Sequence, residues 1–249
     1  MIVPAKIDII ILSYAKDHNL KALTTQTVKT LLESENPDEV EFNVLVIESN
    51  KALQPYQFAN TTTIYPSEEF GFNRYLNIGI KHTSNPYICL CNNDLIFHEG
   101  WATEILKAMA TDPDIVSATP FCPNFHKGAG FDASGPVTEG YFGTFVGWCF
   151  FVKRKIFNTI GLLDERFNFW YADADYCHLL EKHHIKNCLI PSSKVTHLGS
   201  ESLKTTAEKE QQRLTQLPRF YYSYKWQHHS WLKYKIQSAL FKLKLLIGL

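Results

Sequence analysis

The chain has 249 residues, 45% of them hydrophobic and 20% charged, with 25 basic side chains balancing 25 acidic ones. That composition excludes disorder and fibrous repeats, and a chain of this size buries about three quarters of its unfolded surface without disulfides. The neutral total hides a division: no Asp or Glu follows Glu210, so residues 211–249 carry +7, and residues 1–210, with 18 basic against 25 acidic side chains, carry −7. The acidic balance of the larger part argues against a nucleic-acid enzyme, and the basic tail suits an anionic partner.

The apolar run Ile9 to Leu12 follows Asp8 directly and is too short for a signal-peptide core. It predicts a first strand, Ile7 to Leu12, ending at Ser13 and Tyr14. A helix over Leu20 to Leu32 follows, broken at Asn36 and Pro37. Phe42 to Ile47 (FNVLVI) predicts a second buried strand ending at Glu48, and Thr61 to Tyr65 a short third one. Phe70 to His82 reads as a helix entered through Gly71, with Tyr75, Ile78 and Leu76 as its core-side candidates. Tyr87 to Cys91 is a buried strand interrupted by Asn92, Asn93 and Asp94 before Leu95, Ile96 and Phe97. An amphipathic helix after Trp101 closes at Asp112 and Pro113, and DIVSATP predicts another strand. The glycine-rich stretch 121–147 reads as a long loop region, of a length usually reserved for function. Trp148 to Val152 is a further strand and Arg154 to Ile160 a short helix. Asp173 and Asp175 precede a helix expected from about Tyr176 to His183, followed by brief strands at Cys188 to Ile190 and Val195 to His197. Strands alternating with helices predict an α/β fold, a mostly parallel central sheet covered on both faces.

Six cysteines (Cys89, Cys91, Cys122, Cys149, Cys177, Cys188) lie mostly within apolar runs without CxxC pairing. They read as reduced core residues, which suits a cytoplasmic compartment. No apolar stretch approaches the roughly 20 residues of a membrane span.

Four polar groups fall at strand ends or helix starts: Glu48, Asp94, the Asp173 and Asp175 pair, and His197. The C-terminal strand ends of a parallel sheet share one edge, so these groups can converge there. Asp94 is the leading candidate for the centre of the chemistry, with a simple Asn-Asn-Asp turn as the alternative. One carboxylate and one imidazole, completed by diphosphate oxygens and water, form a sensible ligand set for Mg2+ or Mn2+. His197 can equally be a satisfied structural histidine. Asp175 fits helix capping, whereas Asp173, expected outside the helix, is freer to act as a general base.

These segments together resemble a family-2 glycosyltransferase of the nucleotide-sugar-dependent GT-A type. The first strand with Ser13 and Tyr14, the helix FGFNRYLNIGI with Gly71, Asn77 and Gly79, and LCNNDLIFHEGW as the "DxD" segment in NND form carry the likeness. So does the second half, from GWCFF through GLLDERF and the acidic pair to THLGSES, and the match covers about residues 6–202. The resemblance implies that Asp94 binds the metal on the donor diphosphate, that Asn92 and Asn93 belong to the donor site, and that Asn92 approaches the ribose. Glu48 stands where the family usually has an Asp that hydrogen-bonds the base, and Ser13 and Tyr14 line the same nucleoside pocket. Gly71 and Asn77 fall on the donor side; Arg74, in the same helix, can supply a charge near phosphate but reads more readily as a solvated helix residue. Asp173 is implied as catalytic base and His197 as an auxiliary metal or phosphate contact. The acceptor side is expected at Trp148, Trp170 and Asp175. Two departures stand out: Ala172 precedes the base where the family often has an acid, and Glu48 is one methylene longer than the usual Asp.

The implied reaction is inverting transfer of a sugar from a UDP-, GDP- or dTDP-linked donor to a glycan or lipid-linked acceptor, in bacterial cell-surface polysaccharide biosynthesis. A catalytically silent nucleotide-sugar-binding module and a nucleotidyltransferase are the rivals, the latter weakened because SYAKDHN is a poor triphosphate cradle. The domain is expected over residues 1–218 and a basic amphipathic tail over 219–249. From Leu232 the tail's apolar residues recur at Ile236, Leu240, Leu243 and Ile247, with Lys235, Lys242 and Lys244 off that stripe. That pattern suits an anionic membrane surface or, equally, packing on the catalytic domain or on a second subunit in an oligomer.

Overall fold

The computed structural model describes residues 3–199 and 207–247. β1 (Ala5–Ser13), α1 (His18–Leu32), β2 (Val40–Glu48) and β3 (Thr62–Ile64) form the first unit. Asp17 starts α1 by accepting the Leu20 amide at 2.9 Å, ahead of the first apolar residue of the helix. α2 (Phe72–His82) lies so close to β1 that a Cβ on Gly79 would sit 2.6 Å from the Ile10 side chain. That position therefore excludes a side chain unless the helix moves. β4 (Tyr87–Asn92), β5 (Leu95–Phe97), α3 (Trp101–Thr111), β6 (Ile115–Phe121) and a two-residue β7 (Thr138–Glu139) follow. β8 (Cys149–Lys153), α4 (Ile156–Ile160), α5 (Ala172–Lys182) and β9 (Lys186–His197) complete the α/β part, and α6 (Glu208–Trp226) and α7 (Trp231–Ile247) end the chain.

Among the described residues the strands form one sheet in the order β3-β2-β1-β4-β8-β6-β9-β5, with β7 paired to β9. β1 to β4 are all parallel; β8 then enters antiparallel between β4 and β6, and β9 runs parallel to β6 but antiparallel to β5. The expected α/β architecture with a helix-covered central sheet stands, and the parallel run belongs to its first half. Alternation along β1 sends Ile7, Ile9 and Ile11 into a cluster with Leu31, Trp101 and Phe151, while Ile10 and Leu12 join Leu45, Leu90, Phe150 and Tyr176 on the opposite face. Both faces are buried, which is why β1 reads as one continuous apolar run rather than an alternating one. Asp8, wholly buried at its start, is matched by Arg154 at 2.6 Å and by the Asn43 and Asn85 side chains.

Three features differ from the sequence reading. β9 is one 12-residue strand rather than two brief ones. A register shift against β6, from Pro120 opposite Ile190 to Phe121 opposite Lys194, absorbs Pro191 and its neighbours. α5 begins at Ala172, four residues early, because Tyr171 turns the chain with φ 66° immediately before it. α6 is a helix that the reading did not place, and it runs unbroken through Pro218, so position 218/219 lies inside it. All six cysteines are buried thiols without a disulfide. No helix among the described residues is long and apolar enough to cross a membrane.

Candidate nucleotide-sugar site

β1 ends at Ser13 and β4 at Asn92, side by side on the C-terminal edge of the sheet, where open α/β sheets place their ligands. A crevice of about 580 Å³ opens there. Ser13, Tyr14, Asn92, Asn93 and Asp94 line it from the sheet, Phe70, Phe72 and Phe169 supply aromatic surface, and Arg213 and Leu214 of α6 close it from the far side.

Pairing of β5 with β9 sets Leu95 opposite His197, and the Leu198 amide donates to the Asp94 carbonyl at 2.9 Å. That register brings Asp94 Oδ1 to 3.2 Å from His197 Nε2. The two atoms are not aligned as a hydrogen bond, and both are buried with no hydrogen-bond partner. Buried polar atoms of folded proteins are nearly always satisfied, so a facing pair of orphans points to a missing third party. Adjacent ligands on an octahedral ion with bonds of about 2.1 Å lie about 3.0 Å apart, so the separation fits a divalent cation. His197 is held in place by Trp148, whose ring stacks on the imidazole at 4.8 Å and 6°. Among the described residues no group of three or more His, Cys, Asp or Glu could hold a metal, so this pair would leave the remaining positions to substrate oxygens and water.

Other expected residues fall elsewhere. Glu48 is fully buried and saturated: Ser13 Oγ donates to it at 2.6 Å, the Ala15 amide at 3.0 Å and the Asn50 amide at 2.7 Å. It braces the loops after β1 and β2, and does not line the crevice toward a nucleobase as expected. The brace continues through Ser13 and Thr24, 2.9 Å apart, to Asn93, whose side chain donates to Thr24 Oγ1 at 2.8 Å. Asn93 thus anchors the floor beneath Asp94. Asn77 exchanges hydrogen bonds with both backbone groups of Leu163, at 2.8 and 3.0 Å, so it braces the segment before α5 instead of meeting a donor. Gly71 opens α2 beside Asn168, whose carbonyl accepts the Phe72 amide at 2.7 Å, and it too stands off the crevice. Arg74 is bound to Glu165 at 3.2 Å and to the Glu69 carbonyl at 2.9 Å, the brace of a helix surface rather than a phosphate contact.

Asp173 is exposed in the first turn of α5, its Oδ1 accepting the Ala174 amide at 2.8 Å. Gly147 backs it closely, since a Cβ there would lie 2.8 Å from Asp173 Cβ. The Gly147–Trp148 step therefore touches Asp173 with one residue and His197 with the next. Asp175 is buried and occupied by Lys225 Nζ and Trp226 Nε1, each at 2.7 Å, which removes it from the expected acceptor side. Burial pushes its carboxyl up, against the pull of Lys225. Lys225 also reaches Asp164 at 3.0 Å, and Tyr221 donates to the same carboxylate at 2.9 Å. Burial would raise Asp164, but the bonds from Arg166 and Lys225 win and hold it well below the usual carboxylate range. Trp170 is exposed and edge-on to Phe169. Tyr171, bulky yet left-handed, carries strain of about 1–3 kcal/mol next to Asp173.

Sequence reasoning missed the α6 side: Arg213, paired twice with Glu210 at 2.7 Å, and Leu214 in the crevice wall, then Tyr221, Lys225 and Trp226 on the acidic segment. The Glu210–Arg213 spacing and the acids at the start of α6 were the available signals. Ser200, within the expected THLGSES motif, lies outside the described residues.

Solved glycosyltransferases share this fold at low identity. GalNAc-T7 with UDP, GalNAc and Mn2+ gives a TM-score of 0.63 at 12% identity over 78% of this chain and 44% of that one. The mannosyltransferase PcManGT from Pyrobaculum calidifontis, in complex with GDP-Man and Mn2+, gives 0.61 at 13% over 97% and 70%. S. aureus TarS 1-349 gives 0.58 at 10% over 77% and 60%, so the chain spans less than two thirds of the first and third of these. No curated protein matches the chain. The sequence model of glycosyl transferase family 2 matches residues 8–161, more than half the chain and the part that builds the crevice floor, and the chain belongs to that family.

Proposed function

We propose that the protein is an inverting, metal-dependent glycosyltransferase. It would move a hexosyl or related sugar from a UDP-, GDP- or dTDP-linked donor to a hydroxyl of a glycan or lipid-linked glycan, in bacterial cell-surface polysaccharide biosynthesis. The observation that carries this reading is the facing pair of unpartnered atoms, Asp94 Oδ1 and His197 Nε2, at the edge of a crevice of nucleotide size. Mn2+ or Mg2+ held by Asp94 and His197 would supply positive charge against the donor diphosphate. Ser13, Tyr14 and Asn92 would receive the nucleoside between the strand ends and the aromatic wall. Asp173, exposed beside Gly147, would take the proton of the acceptor hydroxyl as that oxygen attacks the anomeric carbon from the face opposite the leaving diphosphate. One displacement inverts the anomeric configuration. Trp148 would order His197, and Trp170, exposed beside Phe169, is the aromatic surface best placed for an acceptor sugar. Unpaired thiols throughout the core support action on the cytoplasmic side.

The deciding experiment is a panel of UDP-, GDP- and dTDP-sugars assayed with and without Mn2+ for release of nucleoside diphosphate. Release with one donor, lost in Asp173→Asn while donor binding persists, supports the reading. Binding without turnover in both proteins indicates a silent sugar-nucleotide module, and pyrophosphate release from a triphosphate indicates nucleotidyl transfer.

A further inference from the structure

We propose that α7 is an in-plane anchor for anionic phospholipid, because its exposed leucine and isoleucine face is bordered on both sides by lysines while its opposite face is used up on α6. At about 100° per residue, Tyr234, Gln237, Ser238, Phe241 and Leu245 share one side of the helix, and these are its partly buried residues. Tyr234 stacks on Tyr224 at 5.6 Å and meets Tyr221 edge-on at 5.5 Å, and Phe241 meets Phe220 at 6.0 Å. That side is the packing face.

Leu232, Ile236, Leu240, Leu243 and Ile247 project from a second arc, about 80° wide. All five are exposed. Lys235 and Lys242 run along one border of this arc, and Lys233 and Lys244 along the other. No carboxylate among the described residues pairs with these lysines. Trp231 stands at the start of the helix, exposed, with the Lys235 ammonium 5.3 Å from its ring centroid.

An exposed apolar arc without flanking charge would suit a second protein surface. Cations along both borders suit phosphate headgroups instead, since lysine stems can lie along the apolar arc while their ammonium groups reach outward. The occupant is therefore a bilayer surface, entered by the arc to the depth of one helix radius. A second copy of the chain fits less well, because two such faces would bring eight lysines together. The inference does not depend on the transferase reading.

Sedimentation of the full chain with phosphatidylcholine vesicles, with and without an equimolar share of phosphatidylglycerol, tests it. The expected result is binding that needs the anionic lipid and falls about fivefold per lysine when Lys233, Lys235, Lys242 and Lys244 are changed to Gln. Leu240→Glu with Leu243→Glu should reduce binding more than about tenfold. Both leucines are exposed, so the variant should keep the parental melting curve. A blue shift of tryptophan emission on binding, diminished in Trp231→Phe, is the second reading. Equal sedimentation with both vesicle types, or binding unchanged in the leucine variant, overturns the proposal. So does a chain that dimerises through these leucines and leaves vesicles alone.

Discussion

Asp94 and His197 illustrate how a site can be recognised by what its atoms lack. Of the other acids singled out in the sequence, Glu48 has found three donors and Asp175 two, while Asp94 Oδ1 has only an imidazole nitrogen facing it without a hydrogen bond. Asp94→Ala is expected to abolish Mn2+-dependent donor binding in a calorimetric titration and to lower turnover on the order of a hundredfold or more. His197→Ala should move both in the same direction by less. Unchanged Mn2+-dependent binding in Asp94→Ala would reduce the Asn-Asn-Asp segment to a turn. Glu48 predicts the opposite signature. Replacing it with Ala strands the Ser13 hydroxyl and two amides in a dry interior, at a cost of about 3–5 kcal/mol. Urea denaturation should show that loss in full, with metal affinity of the remaining folded protein unaltered.

α6 joins two jobs, lining the crevice with Arg213 and Leu214 and gripping Asp164 and Asp175 with Lys225 a few turns later. The pH dependence of that grip has a definite sign. Asp164 is held below its unfolded value near 3.9, so its stabilisation is complete above about pH 5 and is lost as pH falls through 4 and below. Asp175 is raised, so its ionised form carries a penalty that protonation relieves, and its slope opposes that of Asp164. The stability difference between the parent and Asp164→Asn should therefore be constant near neutrality and shrink in acid, as followed by urea titrations across that range. At the tip of the neighbouring loop, Gly147→Ala would press its methyl on Asp173. We expect kcat to fall more than about tenfold with little change in Tm, because the displaced residue is exposed and adds little to packing.

At the scale of the whole molecule, the α/β sheet was legible because β1, β2 and β4 are buried on both faces and so read as unbroken apolar runs. The meeting of Asp94 with His197 was legible for a related reason, since both stand at strand ends on one sheet edge. Glu48, Asn77 and Asp175 were misplaced because their partners, Ser13, Leu163 and Lys225, lie 35 to 86 residues away, and no local pattern announces them. α6 was hidden by Pro218 and by a polar first half that resembles a linker. α7 was found by its stripe, but only packing on α6 separates its used face from its free one. None of its residues is fully buried. Removal of residues 231–249 should therefore lower Tm by only a few degrees in differential scanning fluorimetry, both main clusters remaining whole.

The segment matched by the family model stops at residue 161, yet Asp173, His197, Phe169 and Arg213 all come later. A chimera joined at that boundary would inherit the strand-end floor of one parent and the Asp173 carboxylate, the imidazole and the far wall of another. Transplanting the whole crevice between members of the family thus calls for moving two non-adjacent stretches as a unit, 8–161 with the strand, loop and helix that answer it.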